Sequence, residues 1–473
     1  MKSVFVLVLG MLMTGGGPGG AGWDKVSVEG GYISGGVNGT GDVHFFKGVP
    51  FAAPPVGALR WKAPQPVAAW NGVRACVAFG ASPMQDKPVP FMCWSDEYLI
   101  REKPIGEDCL YLNVWTGARV AKERRPVLVF IYGGGFGSGG GNAPIYDGEA
   151  MAKKGVVFVT INYRVGIFGF FSHPALTEES GHQASGNYGL MDQIAGLKWI
   201  RNNIAAFGGD PDNVTIAGQS AGSMSVNCLV VSPLAKGLFE RAIAESGANF
   251  SRENVSLAQA EAAGVEIAKK LGAGMPGAGS LAAGSLAALR GISAAELQAK
   301  VKESWRPVVD GYVVPGVIAD IYLGKKENPV GLLTGWNGDE DNMTFGRQNY
   351  AWANLASANG EKVFVYRFRR VPPTAPGGKL WGSFHTAEVP YAYNNLRFVK
   401  RPWEPVDYNL SDAMSSYWVN FAKTGDPNGV GLAVWEPYSR EGGKIMLFDR
   451  QPVAGVLPDK EVLDSLYTKM NLH

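Results

Sequence analysis

A serine at the centre of a glycine-flanked segment could act as a nucleophile. Residues 218–222 (GQSAG) match the pattern GxSxG. Because the chain contains 64 Gly, the pattern is weak evidence unless its structural context supports it. Residues 214–217 have the composition of a strand and residues 224–231 that of a helix. A sharp turn between them would lift the Ser220 hydroxyl out of the sheet, beside helix N–H groups that stabilise negative charge.

A serine hydroxyl becomes an effective nucleophile only when a base removes its proton. In a parallel sheet whose strands alternate with helices along the chain, the base follows the nucleophile in sequence. Three of the five histidines precede Ser220 and a fourth is the last residue: His44, His173, His182 and His473. His385 is left, after a predicted strand at 363–368. Elimination therefore predicts His385 as the base.

The base in turn needs a carboxylate that orients its ring and stabilises its charged form. This acid is expected on the loop after the preceding strand, between nucleophile and base. A predicted strand at 330–334 leads into a segment that contains Asp339, Glu340 and Asp341. Position alone does not choose among the three, and the other two are expected to be solvated or to cap the next helix.

Acyl transfer also needs hydrogen-bond donors aimed at the oxyanion. A predicted strand at 127–132 runs into a turn at 133–136 (GGGF), whose bare backbone can approach a substrate closely. With the N–H of Ala221 this turn predicts an oxyanion hole, and a merely flexible turn is the alternative.

The overlapping GxGxxG at 135–140 could indicate a dinucleotide site, but no helix opens there and the next predicted strand ends in Asn162, not in an acid. A dinucleotide is therefore not expected.

The elements that must hold these residues alternate along the chain. Short β-branched or aromatic runs predict strands buried on both faces at 127–132, 156–162, 214–217, 330–334 and 363–368. The clearest helical pattern covers 190–204. This alternation indicates an α/β fold with a mostly parallel sheet covered on both sides. Residues 26–35 and 44–51 predict an antiparallel hairpin, and 256–303 a helical insertion over one end of the sheet, with a flexible surface loop as the alternative.

The composition is that of a globular protein. The 473 residues are 46% hydrophobic and 18% charged, with 44 Lys+Arg against 42 Asp+Glu. Positively and negatively charged residues are both scattered along the chain. This argues against nucleic-acid binding, since a phosphate backbone requires clustered cations. No linker-like segment divides the chain, so residues 23–473 are expected to form one domain. No cysteine or histidine pair has metal-ligand spacing, and no metal or organic cofactor is expected.

The N-terminus has the order of a secretory signal in residues 1–22. Lys2 precedes an apolar run at 4–13, which is followed by small residues up to Gly22. The run is about half of the ~20 residues that span a bilayer, so a transmembrane anchor is the less favoured alternative. The mature chain is therefore expected to be secreted or periplasmic, without a stable membrane span.

Longer stretches of the chain resemble the type-B carboxylesterases, the cholinesterase-like branch of the α/β-hydrolases. In the family's order, the matching residues are 46–66, 107–116, 131–136, 187–223, 338–340 (GDE), 385–391 (HTAEVPY) and 421–428 (FAKTGDPN). The match spans nearly the whole mature chain and is highly specific. It implies an α/β-hydrolase fold: a mostly parallel central sheet flanked by helices, with an N-terminal antiparallel hairpin and a helical insertion.

The resemblance also implies roles for individual residues. The family's acid is the second residue of an Asp-Glu pair, which falls on Glu340 and implies a triad with Ser220 and His385. The oxyanion N–H groups implied are those of Gly134, Gly135 and Ala221. These residues would hydrolyse a small-molecule carboxylic ester through an acyl-enzyme, without a cofactor. The alternatives are a lipase for longer-chain esters and a non-catalytic adhesion relative, although such relatives typically lack the serine.

Two positions depart from the family pattern. Cholinesterases carry Glu immediately before the nucleophile, whereas this chain has Gln219, so a choline-selective site is not expected. The family usually pairs the cysteine of EDCL with one upstream, where this chain has Pro83, so Cys109 must pair with Cys93 or Cys76 or remain free. Because export permits disulfides and the sequence around Cys93 is loop-like, we expect a Cys93–Cys109 disulfide.

Overall fold

The structure is a computed structural model that describes residues 23–101, 103–251, 254–272 and 283–472. In chain order, its strands are β1 (Val26–Val28), β2 (Gly31–Ser34), β3 (Gly36–Val37), β4 (His44–Pro50), β5 (Val73–Ala75), β6 (Ser82–Pro83), β7 (Ile105–Gly106), β8 (Tyr111–Thr116), β9 (Arg125–Ile131), β10 (Val157–Ile161), β11 (Gly209–Gln219), β12 (Arg241–Glu245), β13 (Val255–Ser256), β14 (Val308–Val309), β15 (Gly331–Asn337), β16 (Val363–Phe368), β17 (Lys444–Phe448) and β18 (Pro452–Val456). Its α-helices are α1 (Glu149–Lys153), α2 (Gly166–Phe170), α3 (Pro174–Glu179), α4 (Tyr188–Asn203), α5 (Ala221–Val231), α6 (Leu257–Lys270), α7 (Ala283–Gly291), α8 (Ala294–Lys300), α9 (Ile318–Leu323), α10 (Arg347–Ala358), α11 (Val389–Ala392), α12 (Pro405–Thr424) and α13 (Lys460–Lys469).

An 11-stranded sheet forms the centre of the fold, in the order β18-β17-β16-β15-β12-β11-β9-β10-β8-β4-β3. The strands from β17 to β10 pair in parallel. At the two edges, β18 and the group β8, β4 and β3 pair antiparallel. Because parallel strands end on the same side of a sheet, the loops after β9, β11, β15 and β16 meet at one edge. Those four loops carry the candidate site residues.

Burial explains why the central strands are continuous apolar runs. All five residues of β10 and all six of β16 are buried, and α4, α5, α10 and α12 contact the central strands. A strand covered on both faces has no solvent side and therefore no polar alternation. This is the signal that predicted β9, β10, β11, β15 and β16, and all five are present.

Other parts of the sheet differ from the prediction. β1 and β2 pair antiparallel as expected, but residues 44–50 join the main sheet as β4, between β3 and β8. β8, β12, β17 and β18 were not predicted. β8 and β12 contain Asn113 and Glu245, whose polar groups bond to other elements: Asn113 donates to Thr160 Oγ1 at 2.9 Å. Such tertiary partners leave no local pattern.

The predicted insertion at 256–303 is helical in its described part, as α6, α7 and α8. Leu289 and Leu297 are fully buried, in an apolar cluster with Ile167 and Phe168. The flexible-loop alternative is therefore wrong for these helices. Residues 273–282 of the segment lie outside the described residues.

The expected disulfide between Cys93 and Cys109 is absent from the structure, which contradicts the prediction. All four cysteines are free and buried. The two side chains have different surroundings, since Cys109 lies near the buried Arg164–Asp192 ion pair and Cys93 lies near Arg401. Sequence spacing places the two cysteines close along the chain but carries no information on which way each side chain faces.

We therefore expect four free thiols in the protein. Burial raises the thiol pKa values, that of Cys76 to about 11, so the native protein should react slowly with a thiol reagent, which attacks the thiolate. Unfolding without a reductant should expose four reactive thiols per chain, counted with Ellman's reagent. A count of two would show that a disulfide exists.

The described chain from Trp23 to Leu472 contributes to one principal hydrophobic core, which includes both of these residues. Residues 1–22, predicted to be an export signal, lie outside the described residues. Among the described helices, none is long and apolar enough to cross a bilayer.

Candidate active site

Ser220 lies at the turn between β11 and α5. Its backbone φ is +59° and its ψ is −125°, a conformation that residues with a Cβ atom rarely adopt. The Ser220 N–H donates to the backbone carbonyl of Glu245 at the end of β12, at 2.9 Å, which ties the turn to the neighbouring strand. The sharp strand–serine–helix turn is the one expected from the sequence.

The two glycines of the motif allow close backbone contacts at this turn. A Cβ atom on Gly218 would lie 2.5 Å from the carbonyl carbon of Gly222. A Cβ atom on Gly222 would lie 2.0 Å from the carbonyl oxygen of Ile131. Neither contact is sterically possible, so a larger residue at either position would push α5 away from the sheet.

His385 lies in the loop after β16, and its imidazole contacts a carboxylate. His385 Nδ1 is 2.6 Å from Glu340 Oε1, and the Glu340 side chain is fully buried. Phe345 stacks on the imidazole with a distance of 4.2 Å between ring centroids. Because Nδ1 faces a carboxylate, the proton of the neutral ring belongs on Nδ1, and Nε2 is the acceptor.

The three adjacent acids after β15 have separate partners. Glu340 is the one bonded to the imidazole. The Asp339 carboxylate accepts hydrogen bonds from the N–H and the hydroxyl of Ser383, at 2.7 and 2.9 Å. Asp341 instead caps the π-helical turn that follows it, accepting from the backbone N–H of Met343 at 2.8 Å. The tertiary contacts thus separate three acids that position along the chain could not distinguish.

Asn337, the last residue of β15, connects the acid loop to the histidine loop, and no sequence pattern indicated it. Its N–H donates to Glu340 Oε2 at 3.1 Å. Its side-chain amide donates to the carbonyl of Phe384 at 2.7 Å and to the Glu388 carboxyl group. Burial, and then the charge of Glu340, raise the pKa of Glu388 well above its usual range.

Two opposing effects set the pKa of His385. Burial lowers it, because the imidazolium loses hydration, whereas the negative charge of Glu340 and the hydrogen bond to it raise it. The net direction is upward from the ordinary value of histidine. A histidine that serves as a base must be neutral, so activity that depends on His385 should be lost as the pH falls through this raised pKa.

Gln219, immediately before Ser220, lies against the imidazole ring of His385. Its amide nitrogen is 3.2 Å from His385 Nε2 and 3.5 Å from Nδ1, so it contacts both ring nitrogens. The side chain at position 219 therefore forms part of the electrostatic environment of the imidazole. The sequence indicated this position only as a departure from the cholinesterase pattern.

Replacing Gln219 with glutamate tests how a negative charge beside the imidazole changes the pKa of His385. A carboxylate next to Nε2 would stabilise the imidazolium, so we expect the pKa of His385 to rise by about one unit or more. The acid limb of the kcat/KM profile on a soluble ester should then move to higher pH. Gln219→Met is the uncharged control of similar size. An acid limb at the same pH in both variants would contradict the prediction.

The glycine-rich loop after β9 lies directly beside Ser220. A Cβ atom on Gly133 would be 2.9 Å from the Cβ atom of Ser220. Gly134 and Gly135 have φ angles of +113° and +61°, and both line the cavity that contains the serine. Ala221 is the first residue of α5, where backbone N–H groups have no partner within the helix. Gly133 and Ala221 are therefore adjacent to Ser220, and Gly134 and Gly135, predicted with Ala221 to supply oxyanion N–H groups, line the same cavity as the serine.

A cavity of about 550 Å³ contains both Ser220 and His385. Its apolar lining residues include Val89, Phe91, Trp94, Tyr98, Leu99 and Ile100. Gln298 of α8 also lines it, so the helical insertion contributes to its wall. A cavity of this volume accommodates a drug-sized ligand.

Two solved structures share this architecture. A carboxylesterase of Geobacillus stearothermophilus, determined at pH 6.2, matches with a TM-score of 0.79 and 30% identity, over 94% of this chain and 99% of that chain. A structure of PNB esterase matches with a TM-score of 0.80 and 31% identity, over 93% and 99% of the two chains. The sheet topology, the turn at Ser220 and these likenesses define the chain as an α/β-hydrolase, as the sequence predicted.

Sequence comparison identifies the family within this fold. The profile of the carboxylesterase family matches residues 24–349 and 340–466. A fumonisin B1 esterase of Sphingopyxis macrogoltabida is 34% identical over 497 residues, which cover 89% of this chain and 86% of that protein. A para-nitrobenzyl esterase of Bacillus subtilis (strain 168) is 32% identical over 491 residues, which cover 90% and 95%. The chain belongs to the carboxylesterase family and is a carboxylic ester hydrolase.

Proposed function

We propose that the protein hydrolyses esters through an acyl-enzyme, with Ser220 as nucleophile, His385 as general base and Glu340 as the acid that orients His385. One observation carries the proposal. Ser220, at its strained turn, lines the same cavity as His385, whose Nδ1 is 2.6 Å from Glu340. A carboxylate at Nδ1 holds the tautomer in which Nε2 can accept the serine proton.

In the proposed acylation, Ser220 Oγ bonds to the ester carbonyl carbon while its proton passes to His385 Nε2. The carbonyl electron pair moves to oxygen, where it accepts hydrogen bonds from the N–H groups of Gly134, Gly135 and Ala221. Collapse of this intermediate breaks the bond to the leaving oxygen, which takes the proton from His385 and departs as an alcohol. Water then attacks the acyl-enzyme and gives a proton to His385. Collapse of the second intermediate releases the carboxylic acid, and Ser220 Oγ takes the proton back from His385.

The proposed substrates are small-molecule esters with an apolar acyl or alcohol group. The apolar lining of the cavity, with Phe91, Trp94 and Tyr98, supports this class. A panel of p-nitrophenyl esters from acetate to palmitate tests the class. Turnover confined to the longest esters would favour a lipase instead.

A fluorophosphonate tests the nucleophile directly. The Ser220 oxygen should bond to phosphorus with loss of fluoride, and peptide mass spectrometry should locate the adduct on that serine. Heat-denatured protein is the control and should remain unlabelled, because a serine without its base is a weak nucleophile. Labelling at another serine would contradict the assignment, and neither labelling nor turnover would favour the adhesion alternative.

We also propose that residues 1–22 direct export and that residues 23–473 form one mature domain, secreted or periplasmic. The order of basic, apolar and small residues supports the signal. The principal core, which joins Trp23 to Leu472, supports the single domain. Cell fractionation and N-terminal sequencing test both, and an uncleaved protein in the cytoplasm would contradict export.

A further inference from the structure

Apolar side chains, four of them exposed, adjoin the cavity that contains Ser220 and His385. We define the rim as Val89, Phe91, Met92, Leu380 and Trp381. The first four are large apolar residues with exposed fractions of 67%, 56%, 68% and 68%. The rim comes from two loops that are distant in sequence, and Met92 and Trp381 line one groove of about 460 Å³. The two loops therefore present one apolar surface to solvent.

The rim continues into the cavity. Val89 and Phe91 are exposed and also line the cavity that contains Ser220. Phe91 contacts Trp94, with ring centroids 4.8 Å apart, and both residues line the cavity as well as the groove. An apolar path thus leads from the exposed rim to the candidate nucleophile.

Cations flank the rim. Among the described residues that line the groove, the charged ones are Lys379, Lys400 and Arg401. Lys379 Nζ lies 3.8 Å from the centroid of the Trp381 ring, so positive charge and apolar surface are adjacent. The whole chain has a formal net charge of only +2, which makes this positive cluster a local feature of one face.

We propose that the rim docks the enzyme on a lipid surface that carries anionic head groups, from which ester substrates enter the cavity. The proposal rests on the ester hydrolysis proposed above. Apolar side chains that enter a lipid interface, beside cations that attract anionic head groups, are the two contributions that bind proteins to such surfaces. The rim supplies the apolar side chains and adjoins the cations, and two of its exposed members, Val89 and Phe91, also line the cavity that contains Ser220.

Vesicle sedimentation separates docking from catalysis. The full-length Ser220→Ala protein should bind phosphatidylcholine vesicles that contain phosphatidylglycerol, bind pure phosphatidylcholine vesicles less, and dissociate at high salt. Adding Met92→Ser and Leu380→Ser should weaken binding to the mixed vesicles by about tenfold or more. Adding Val430→Ser and Val434→Ser is the matched control, because these valines are 107% and 69% exposed and line neither the cavity nor the groove within the described residues. All variants share residues 1–22, so a difference in vesicle binding between the rim variant and the control variant does not come from that segment.

The same pairs of substitutions with Ser220 intact test the link to hydrolysis. Met92 and Leu380 are not among the described residues that line the cavity, so turnover of dissolved p-nitrophenyl acetate should stay unchanged. Turnover of a long-chain ester embedded in the anionic vesicles should fall in the rim variant and persist in the control.

Each remaining outcome decides between the two proposals. No binding to anionic vesicles, or equal loss of binding in the rim and control variants, would overturn the docking proposal, while turnover of the dissolved ester would leave the proposed function in place. Vesicle binding without hydrolysis of any ester would overturn the proposed function and leave the docking surface in place.

Discussion

The Ser220→Ala protein is expected to lose ester hydrolysis almost completely while it remains folded. The hydroxyl would form the covalent bond to the acyl group, so its removal ends the acyl-enzyme route. Loss of such a nucleophile lowers kcat on the order of 10⁶-fold. The backbone at Ser220 has a φ of +59°, which alanine adopts no less readily than serine, so the turn should persist. The measurement is kcat on p-nitrophenyl acetate, with circular dichroism as the test of folding.

Ser138 provides a matched control for this experiment. It lines the same cavity, and its hydroxyl donates to the carbonyl of Gly134 at 3.2 Å. Ser138→Ala removes an equivalent hydroxyl from the cavity wall and should keep kcat within about tenfold of wild type, since one neutral hydrogen bond contributes roughly 1 kcal/mol. If Ser220→Ala retained a tenth of the wild-type activity, or lost no more than Ser138→Ala, the assignment of the nucleophile would be wrong.

Glu340→Gln is expected to have the second largest effect. The neutral amide cannot stabilise the imidazolium, and it can donate to Nδ1 and so favour the wrong tautomer. A loss of about 10⁴ in kcat has this origin in another triad. The acid limb of any residual activity should also move to lower pH, because the charge of Glu340 is what raises the pKa of His385. Both quantities come from one pH profile on a soluble ester.

The neighbouring acids serve as controls for Glu340. Asp339→Asn would weaken the contact with Ser383, which holds the histidine loop, and Asp341→Asn would weaken a cap on the next turn. Each should cost far less kcat than Glu340→Gln and should leave the acid limb in place. If either aspartate variant were the most damaged, or if Glu340→Gln stayed within tenfold of wild type, His385 would need another acid.

Much of the central fold could be predicted from local sequence. The strands at the middle of the sheet are buried on both faces, which makes them predominantly apolar, and this pattern is visible in a short window of sequence. β4 and β8 could not be placed in this way. Their position depends on pairing between residues more than sixty apart in sequence, such as His44 with Thr116, and nothing local encodes that partner.

The residues of the candidate site also fall into two groups, those that the sequence indicated and those that it did not. GxSxG between a strand and a helix indicated Ser220, and the chain order of an α/β sheet left His385 as the base. The choice among three acids needed the family resemblance, because adjacent residues share one loop and differ only in where their side chains point. Asn337 and the contact of Gln219 with His385 gave no local signal at all, since both depend on loops from different strands meeting at one edge.

The sequence by itself determined the fold class, the nucleophile motif and the candidate base, because each depends on residue type and order along the chain. Chain position left three candidate acids, and the structure shows that Glu340, the one implied by the family resemblance, contacts His385. Tertiary structure alone decided that the cysteines remain unpaired and that the loops bearing Met92 and Leu380 form one exposed surface. The physical reason is the same for both. Such contacts join residues that are brought together only when the strands align in the sheet, and their energies depend on distance and burial, which a linear pattern does not contain.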